Sequence, residues 1–356
     1  MFESLGFETL TPRSAALILG LILGLGFGAM AEISAFCFRR GIVAGPNRRA
    51  ALATWVLALA VAVLGTQAAM ALGLIDFTGH RLHATALPWL AILGGGLAFG
   101  AGMVLARGCP ARLTVLAASG NLRAATVLLV FALVVIAALR GALAPLVQVI
   151  AAPTLPSIGG LTALPGAVPS AVLAVAALSL ALLRGAGVPL RHLAAAAGIG
   201  LLVVAGWLGT GFLLQDEFDP IAVESLAFTS PYGEAIFWTA AATAVEAGFG
   251  PGLIAGTLLG ALALALASGR FRWQSFSSPR ETGRYLAGGA LMGLGAVLAG
   301  GCTIGAGLSG GATLSVSALM ALAAIALGGV ATDRALSASA SESAGSEARR
   351  PAVPAE

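Results

Sequence analysis

The stretch Gly100-Ala-Gly102-Met-Val-Leu-Ala-Arg-Gly108-Cys109 occurs a second time, 193 residues later, as Gly293-Leu-Gly295-Ala-Val-Leu-Ala-Gly-Gly301-Cys302. Seven of the ten positions are identical. A repeat of this kind indicates a duplicated fold in which a Gly-rich apolar helix leads into a Gly-Cys pair once in each copy. We therefore expect the functional site to lie where the two copies meet.

The composition is that of an integral membrane protein. Hydrophobic residues make up 58% of the 356 positions and charged residues only 10%, whereas soluble domains carry about a quarter charged residues. The 49 glycines fit a membrane bundle, because small residues let helix backbones approach closely in lipid. The basic residues are all arginine and are scattered in short loops, so the sequence does not predict nucleic-acid binding.

Nine apolar runs are long enough to be transmembrane helices, which need about 20 mainly apolar residues. They are residues 14–36, 50–75, 86–106, 122–144, 168–183, 193–214, 249–268, 285–300 and 313–332. Short or half-length helices are predicted after Cys109, after Cys302, in residues 145–169 and in residues 232–247. Residues 1–12 lack a basic segment, so the first run is not expected to be a cleaved signal peptide.

The placement of arginine predicts the orientation of these helices. With the N-terminus outside, the inner loops hold thirteen arginines and the outer ones three, in line with the excess of basic residues in cytoplasmic loops. The prediction is a periplasmic N-terminus and a cytoplasmic C-terminus. Equivalent helices are then five apart, and this odd separation inverts the second copy.

The predicted fold is an all-α integral membrane protein with about nine transmembrane helices plus short re-entrant helices in two inverted pseudo-symmetric halves. The first half is residues 1–144 and the second is residues 193–332. Residues 145–192 connect them with one extra membrane helix. Residues 333–356, rich in Ala, Ser and Glu, are expected to form a disordered cytoplasmic tail.

Each Gly-Cys pair is predicted to begin a new short helix. In Gly108-Cys109-Pro110, glycine supplies the bend and proline favours the first helical turn. Gly301-Cys302-Thr303 has the equivalent position in the second copy. Because helix N-termini expose unpaired amide hydrogens and a partial positive charge, the two breaks together predict a site for a small anion at the bilayer midplane.

The thiols favour an anion with a terminal sulfur, since cysteine is a soft, weak hydrogen-bonding group. Cys37 lies at the end of another Gly-rich helix, and alignment of the copies puts Thr229 opposite it. Two alternatives remain open. The cysteines could serve tight packing only, or a thiol at a helix N-terminus could accept sulfur covalently as a persulfide.

Three glutamates lie inside or beside the apolar helices, where ionisable groups are costly and usually functional. They are Glu32, Glu234 and Glu246. We expect them to accept hydrogen bonds from backbone amides or to pair with arginine, and one of them is also a candidate for proton coupling. The arginines considered as partners are Arg107, Arg112 and Arg123. The three scattered histidines do not predict a metal site.

The sequence resembles the YeeE/YedE family of bacterial sulfur-compound transporters. In the first half the resemblance is carried by the segment ending at Cys109 and by Ser-Gly-Asn-Leu-Arg at 119–123. In the second half it is carried by Phe-Thr-Ser-Pro-Tyr-Gly-Glu at 228–234, by Phe-Arg-Trp-Gln-Ser-Phe at 271–276 and by the glycine-rich segment from Gly300 to Gly310. With the Phe-Cys37 segment, the resemblance covers most of the chain.

The resemblance implies an hourglass-shaped inner-membrane protein that takes up thiosulfate into the cytoplasm. Cys109 and Cys302 match the Gly-Cys motifs of the family and would contact the ion in turn, with Cys37 along the path. A TusA-like cytoplasmic sulfur carrier would then use the delivered sulfur. Other sulfur or selenium species are alternative substrates, and a membrane sulfurtransferase is an alternative function. The sequence contains no nucleotide-binding loop, and we expect no cofactor.

Overall fold

The structure, a computed structural model, describes residues 11–216 and 218–348, with side chains described as far as residue 339. Within these residues the chain forms thirteen α-helices and one two-stranded antiparallel sheet. The helices are α1 Pro12–Ser34, α2 Phe38–Ile42, α3 Arg48–Ala71, α4 Trp89–Leu105, α5 Pro110–Ala118, α6 Leu122–Arg140, α7 Ala144–Ala151, α8 Ala167–Leu183, α9 Leu190–Leu208, α10 Ser230–Ala241, α11 Phe249–Ala267, α12 Pro279–Leu298 and α13 Val316–Ala348. The sheet, which was not predicted, pairs β1 Ala86–Leu87 with β2 Leu155–Pro156.

The predicted all-α membrane architecture is confirmed. In the described part of the chain, eight helical stretches are long and apolar enough to span a membrane. The ninth predicted span is the helix α8, which has 17 residues and is shorter than the others. The helix α8 packs against α3, and Ser179 is its only buried residue. It therefore lies on the outside of the helix bundle.

The short segments differ in part from the predictions. A helix follows Cys109 as expected, and α10 begins at Ser230, close to the predicted start. The segment Thr303–Gly310 is a π-helix instead of an α-helix. Its first wide turn includes a hydrogen bond from Gly307 N–H to Cys302 O, which joins residues five apart. Residues 145–169 hold the end of α7, the strand β2 and the short 3₁₀-helix Leu161–Ala163.

The C-terminal tail is not disordered over its whole length, contrary to the expectation. The helix α13 continues past residue 333 as far as Ala348. Alanine is the strongest helix former, and it recurs along residues 335–348. Residues 349–356 of the expected tail, residue 217 and the first ten residues considered for a signal peptide lie outside the described residues.

Local sequence explains where α1 begins and ends. The Thr11 side chain caps the first turn by accepting a hydrogen bond from the Ser14 N–H at 3.1 Å, and Pro12 occupies the first helical position. The helix ends at Ala35, which has a left-handed conformation with φ 49°. This turn redirects the chain so that Cys37 lies at the start of α2.

The closest helix packing joins α1 to α11, and glycines make it possible. Gly20, Gly24 and Gly28 lie four residues apart on α1. A Cβ atom on any of them would come within 2.4 Å of a backbone oxygen of α11. The equivalent glycines of α11, Gly252, Gly256 and Gly260, approach backbone oxygens of α1 equally closely. The two backbones are therefore in direct contact along about three turns.

Helix α4 lies between α12 and α13 in the same manner. A Cβ on Gly100 would fall 2.2 Å from the Ile325 carbonyl oxygen of α13, and one on Gly102 would fall 2.5 Å from the Gly288 carbonyl oxygen of α12. The repeated segment of the sequence thus forms the inside of the bundle. Small residues are needed there because two other helix backbones contact α4.

The packing pairs helices of the first part of the chain with helices of the second. When α1, α3, α4 and α6 are matched with α9, α11, α12 and α13, the contact of α1 with α11 corresponds to that of α3 with α9. The contact of α4 with α13 likewise corresponds to that of α6 with α12. The packing thus follows the order of the sequence repeat.

The contact between α1 and α11 leads to a stability prediction. The substitution Gly24→Ala places a methyl group 2.4 Å from the Leu253 carbonyl oxygen, so α1 and α11 must move apart. We expect destabilisation by about 1–3 kcal/mol and a lower midpoint of thermal unfolding in detergent, measured by loss of the monodisperse peak after heating.

The matched control is Gly94→Ala on α4, where a Cβ would meet no atom within 4 Å. This variant gains the better helix propensity of alanine, worth about 1 kcal/mol, without a steric cost. Equal unfolding midpoints for the two variants would contradict the backbone contact described here.

Candidate functional site

The sequence repeat matches Cys37 with Thr229 and Cys109 with Cys302, and all four residues stand at the start of a helical segment. Cys37 is the N-cap of α2, Cys109 the N-cap of α5, Thr229 the N-cap of α10 and Cys302 the N-cap of the π-helix Thr303–Gly310. The three sulfhydryl groups and one hydroxyl group are therefore next to helix N-termini, where backbone amides lack intrahelical partners.

The thiols contact amides of the helices that they cap. The Cys302 Sγ accepts a hydrogen bond from the Gly305 N–H at 3.4 Å. The backbone amides of Arg40 and Arg112 lie near the thiols of Cys37 and Cys109 in the same relation, three residues after the cap. Each sulfur thus shares its site with an amide hydrogen, a donor suited to an anion.

The two copies meet at the cysteines. The side chains of Cys37 and Cys109 lie close enough to interact with each other. The Cys109 thiol also lies close to the hydroxyl of Thr303, the residue that follows Cys302. The exposed fractions of Cys37, Cys109 and Cys302 are 4%, 2% and 0%. We refer to these three cysteines with Thr303 as the thiol cluster.

Two buried hydroxyl groups near the breaks have no hydrogen-bond partner in the described part of the chain. They are the Oγ1 atoms of Thr229 and Thr303. Nearly all buried polar atoms in proteins are paired with protein or water. Unpaired hydroxyls beside three thiols therefore indicate a site with hydrogen-bonding capacity to spare.

Gly108 and Gly301 have a structural effect at the breaks. A Cβ on Gly301 would fall 2.8 Å from the Ala306 backbone nitrogen, and one on Gly108 would fall 3.1 Å from Leu113 Cδ2. Gly300 adopts φ 76°, a conformation that favours glycine. These glycines let the chain turn tightly just before each cysteine.

Three cavities of the bundle bear on the site, and we name each after one lining residue. The Arg81 cavity has a volume of about 520 Å³ and is lined by His80, Arg81, Trp207, Glu224, Thr229 and Gly305 among others. The Arg112 cavity, of about 260 Å³, is lined by Glu32, Arg112, Asn121, Arg270, Arg272 and Gln274 among others. The Glu246 cavity, of about 620 Å³, is lined by Arg13, Arg140, Asp219, Glu234 and Glu246 among others.

The Arg81 and Arg112 cavities lie toward opposite ends of the bundle. Glu32, near the end of α1, lines the Arg112 cavity, whereas Arg13, at its beginning, lines the Glu246 cavity. The Glu246 cavity shares Glu224 with the Arg81 cavity. A helix of 23 residues is about 35 Å long, which is sufficient to cross a bilayer core of about 30 Å.

The Arg112 cavity contains an ion-pair cluster that was partly predicted. The buried Glu32 carboxylate lies 3.6 Å from Arg112 Nη1 and 3.3 Å from Arg270 Nη1. Of the three expected partners, Arg112 is therefore correct. Arg123 instead pairs with Glu281 at 2.9 Å, and Arg107 is exposed with φ 58°. The partner Arg270 was missed because it lies in the loop after α11 and approaches Glu32 only when the helices pack together.

Glu234 and Glu246 both line the Glu246 cavity and not the thiol cluster. Glu246 is exposed and lies between the end of α10 and the start of α11, so it is beside an apolar helix as expected, but the short helix predicted over residues 232–247 ends before it, at Ala241. Glu234 lies on α10 against α11, because a Cβ on Gly250 would meet its Oε2 atom at 2.2 Å. The Glu246 cavity thus combines these acids with Arg13 and Arg140.

Arg81 is a second residue near the site that the sequence analysis missed. Its Nη1 donates a hydrogen bond to the Gly300 carbonyl oxygen at 2.8 Å, two residues before Cys302. Desolvation by the cavity walls lowers the pKa of Arg81, and the nearby Glu224 carboxyl acts in the opposite direction. The sequence did contain a signal for Arg81. It is one of only three arginines that lie outside the predicted cytoplasmic loops, where basic residues are rare.

Comparison with known proteins agrees with this architecture. A search among curated proteins finds no match. The sequence profile of the family described as sulphur transport matches residues 33–331. This range contains all three cysteines, Thr229, the residues that line the Arg81 cavity and, with the exception of Glu32, those that line the Arg112 cavity. The chain is therefore a member of the sulphur transport family, also called the YeeE/YedE family, and is a multi-pass membrane protein.

Proposed function

We propose that the protein takes up thiosulfate into the cytoplasm and that the ion is relayed between the thiols of Cys109, Cys302 and Cys37. The observation that carries this proposal is the thiol cluster itself with its neighbours. Gly305, whose amide donates to the Cys302 sulfur, lines the Arg81 cavity, and Arg112, whose amide lies near the Cys109 thiol, lines the Arg112 cavity. Membership of a sulphur transport family supports a sulfur-containing substrate. The relay and the choice of thiosulfate are inferences from the chemistry of the site.

The site fits an anion that bears both sulfur and oxygen. Amide hydrogens at the helix N-termini stabilise negative charge without a cation in the membrane. The thiols offer soft, weak hydrogen bonds to the terminal sulfur, and the hydroxyl of Thr303 is a stronger donor for an oxygen. Because each contact is weak, the ion can pass from one thiol to the next, as conduction requires.

Two inverted halves and an inner-membrane location complete the proposal. Residues 1–144 and 193–332 would be related by an axis in the membrane plane, with residues 145–192 between them. The arginine bias supports a periplasmic N-terminus and a cytoplasmic C-terminus. The Arg81 cavity would then open to the periplasm and the Arg112 cavity to the cytoplasm, where a TusA-like carrier would receive the sulfur.

Transport without catalysis accounts better for the contacts of the thiols than sulfurtransfer does. A nucleophilic cysteine is normally activated by an adjacent base. The described neighbours of Cys109 are another thiol, a hydroxyl and a backbone amide, with the nearest cation already paired to Glu32. These groups can donate hydrogen bonds to an anion, and none of them is a strong base.

The relay predicts that removing either Gly-Cys thiol abolishes uptake. We expect Cys109→Ala and Cys302→Ala each to lower the initial rate of labelled thiosulfate uptake at least about tenfold, since a lost hydrogen bond to an anion costs about 1.5–3 kcal/mol. Uptake is measured in cells that lack other sulfate and thiosulfate permeases, with the amount of protein in the membrane measured for each variant.

The control is Ser179→Ala, which removes a buried hydroxyl of α8 away from the thiol cluster and should leave uptake unchanged. Full uptake by both cysteine variants at wild-type membrane levels would refute the relay. A persulfide trapped on Cys109 or Cys302 during turnover would favour the sulfurtransferase instead.

The soft thiols also predict selectivity among anions. Selenosulfate, with terminal selenium, should compete with labelled thiosulfate, whereas sulfate, with oxygen at every position, should not compete even at about a hundredfold excess. Uptake of labelled thiosulfate in reconstituted vesicles with each unlabelled anion measures this order. Stronger competition by sulfate than by selenosulfate would show that the thiols do not select the substrate.

A further inference from the structure

The Arg81 cavity holds a cation with unused hydrogen-bonding capacity. Arginine has five N–H donors, and within the described residues one of them, on Nη1, is taken by the Gly300 carbonyl oxygen. The side chain is exposed to the cavity. Since Gly300 directly precedes the Gly301-Cys302 break, a ligand held by Arg81 would lie on the path toward the Cys302 thiol.

A second, independent feature of this cavity is the hydroxyl of Thr229. The residue is only 7% exposed and lines the same cavity as Arg81, and its Oγ1 atom has no hydrogen-bond partner among the described residues. Thr229 also caps α10 without bonding to the helix through its side chain. Its hydroxyl is therefore free to donate to a ligand in the cavity.

The carboxyl group of Glu224 lies on the same cavity wall and interacts electrostatically with Arg81. Desolvation raises the pKa of Glu224 to about 8, with a further increase from the neighbouring Glu234 and an opposing decrease from Arg81. At neutral pH the Glu224 side chain is therefore mostly uncharged, and Arg81 faces the cavity without a full counter-charge.

We propose that the Arg81 cavity is the capture site for the transported anion, with Arg81 and Thr229 as its ligands and the ionisation of Glu224 as the control of its affinity. The inference rests on the proposed transport function and adds the residues that first hold the ion. When Glu224 is uncharged, Arg81 attracts the anion. When Glu224 ionises, it pairs with Arg81 and repels the anion.

Other ionisable groups lie around Glu224, and the nearest acid among them is Glu234, whose pKa is also raised by desolvation and lowered in part by Arg140 and Arg13. Desolvation lowers the pKa of His80 to about 4, so this imidazole stays uncharged across the neutral and alkaline range. On the Glu246 cavity side, charges of both signs face Glu224. They are Arg13, Arg140, Asp219, Glu234 and Glu246. Within the Arg81 cavity itself the carboxyl group is that of Glu224, and its pKa of about 8 lies in the range tested below.

The first experiment measures the KM of thiosulfate uptake in reconstituted vesicles at pH 7. We expect Arg81→Gln to raise the KM at least about tenfold, because a charged hydrogen bond to the ion is lost. Arg81→Lys should recover part of the loss, since the charge remains and the planar fork does not. Thr229→Val, which is similar in shape, should raise the KM about threefold or more.

The matched control is Arg13→Gln. This substitution removes an exposed arginine of the neighbouring Glu246 cavity, so it changes the net charge equally without altering the proposed ligands. Its KM should stay within about twofold of wild type. If Arg13→Gln and Arg81→Gln have the same effect, only general electrostatic attraction is present and the capture site is refuted.

The second experiment follows the KM between about pH 7 and pH 9, a range in which thiosulfate stays a dianion. For the wild type, ionisation of Glu224 through its pKa of about 8 should raise the KM about threefold to tenfold as the pH rises. Glu224→Gln keeps the side chain uncharged and should give a constant, low KM. A parallel rise in both proteins would refute the role of Glu224.

Failure of this inference and failure of the proposed function give different results. If wild-type vesicles take up no thiosulfate above protein-free vesicles, the proposed function is wrong. If the wild type transports thiosulfate and depends on Cys109 and Cys302, but Arg81→Gln and Thr229→Val keep the wild-type KM, only the capture site is wrong.

Discussion

Direct contact between the backbones of α1 and α11 is the constraint on which the rest of the structure depends. In lipid, helices gain little from burying apolar side chains, so close approach and van der Waals contact must hold them together. Gly24 and Gly256 lie where any side chain would overlap a carbonyl oxygen of the other helix. This contact fixes the end of α1, and with it both Glu32 and the turn to Cys37. Helix α5 also packs against α11, so the same contact brings the N-caps of α2 and α5 together.

Much of this arrangement could be predicted from the repeated Gly-Cys segment. Hydrophobic runs located the long helices, and Gly108-Cys109-Pro110 located the start of α5, because these features act within a few neighbouring residues. The pairing of Glu32 with Arg270 and the contact of Arg81 with Gly300 could not be predicted. Each joins segments more than two hundred residues apart, and their approach depends on how the two parts of the bundle pack. The π-helix after Cys302 was missed for a different reason, since its sequence is equally compatible with an α-helix.

The two equivalent positions Cys37 and Thr229 carry different side chains, and this difference gives the proposed path a direction. Thr229 lines the Arg81 cavity, whereas its counterpart Cys37 is close to Cys109 and to the Arg112 side. A hydroxyl is the stronger hydrogen-bond donor to an oxygen, and a thiol suits sulfur. An anion that arrives fully hydrated needs replacements for its bonds to water first, and arginine with a hydroxyl supplies them. Deeper in the proposed path, weaker contacts with thiols would prevent the ion from being retained.

Both cavities keep an excess of positive charge, and they differ in how their carboxyl groups are held. In the Arg112 cavity, three arginines, Arg112, Arg270 and Arg272, face one buried carboxylate, Glu32, which lies within 4 Å of the first two. In the Arg81 cavity, the carboxyl of Glu224 has a pKa of about 8 and leaves Arg81 uncompensated at neutral pH. Both ends therefore attract an anion, and flux requires that neither end hold it, because equally tight binding throughout would retain the ion. In the proposed path, ionisation of Glu224 would release the ion at the Arg81 end, whereas release at the Arg112 end would depend on Glu32 competing with the ion for Arg112 and Arg270.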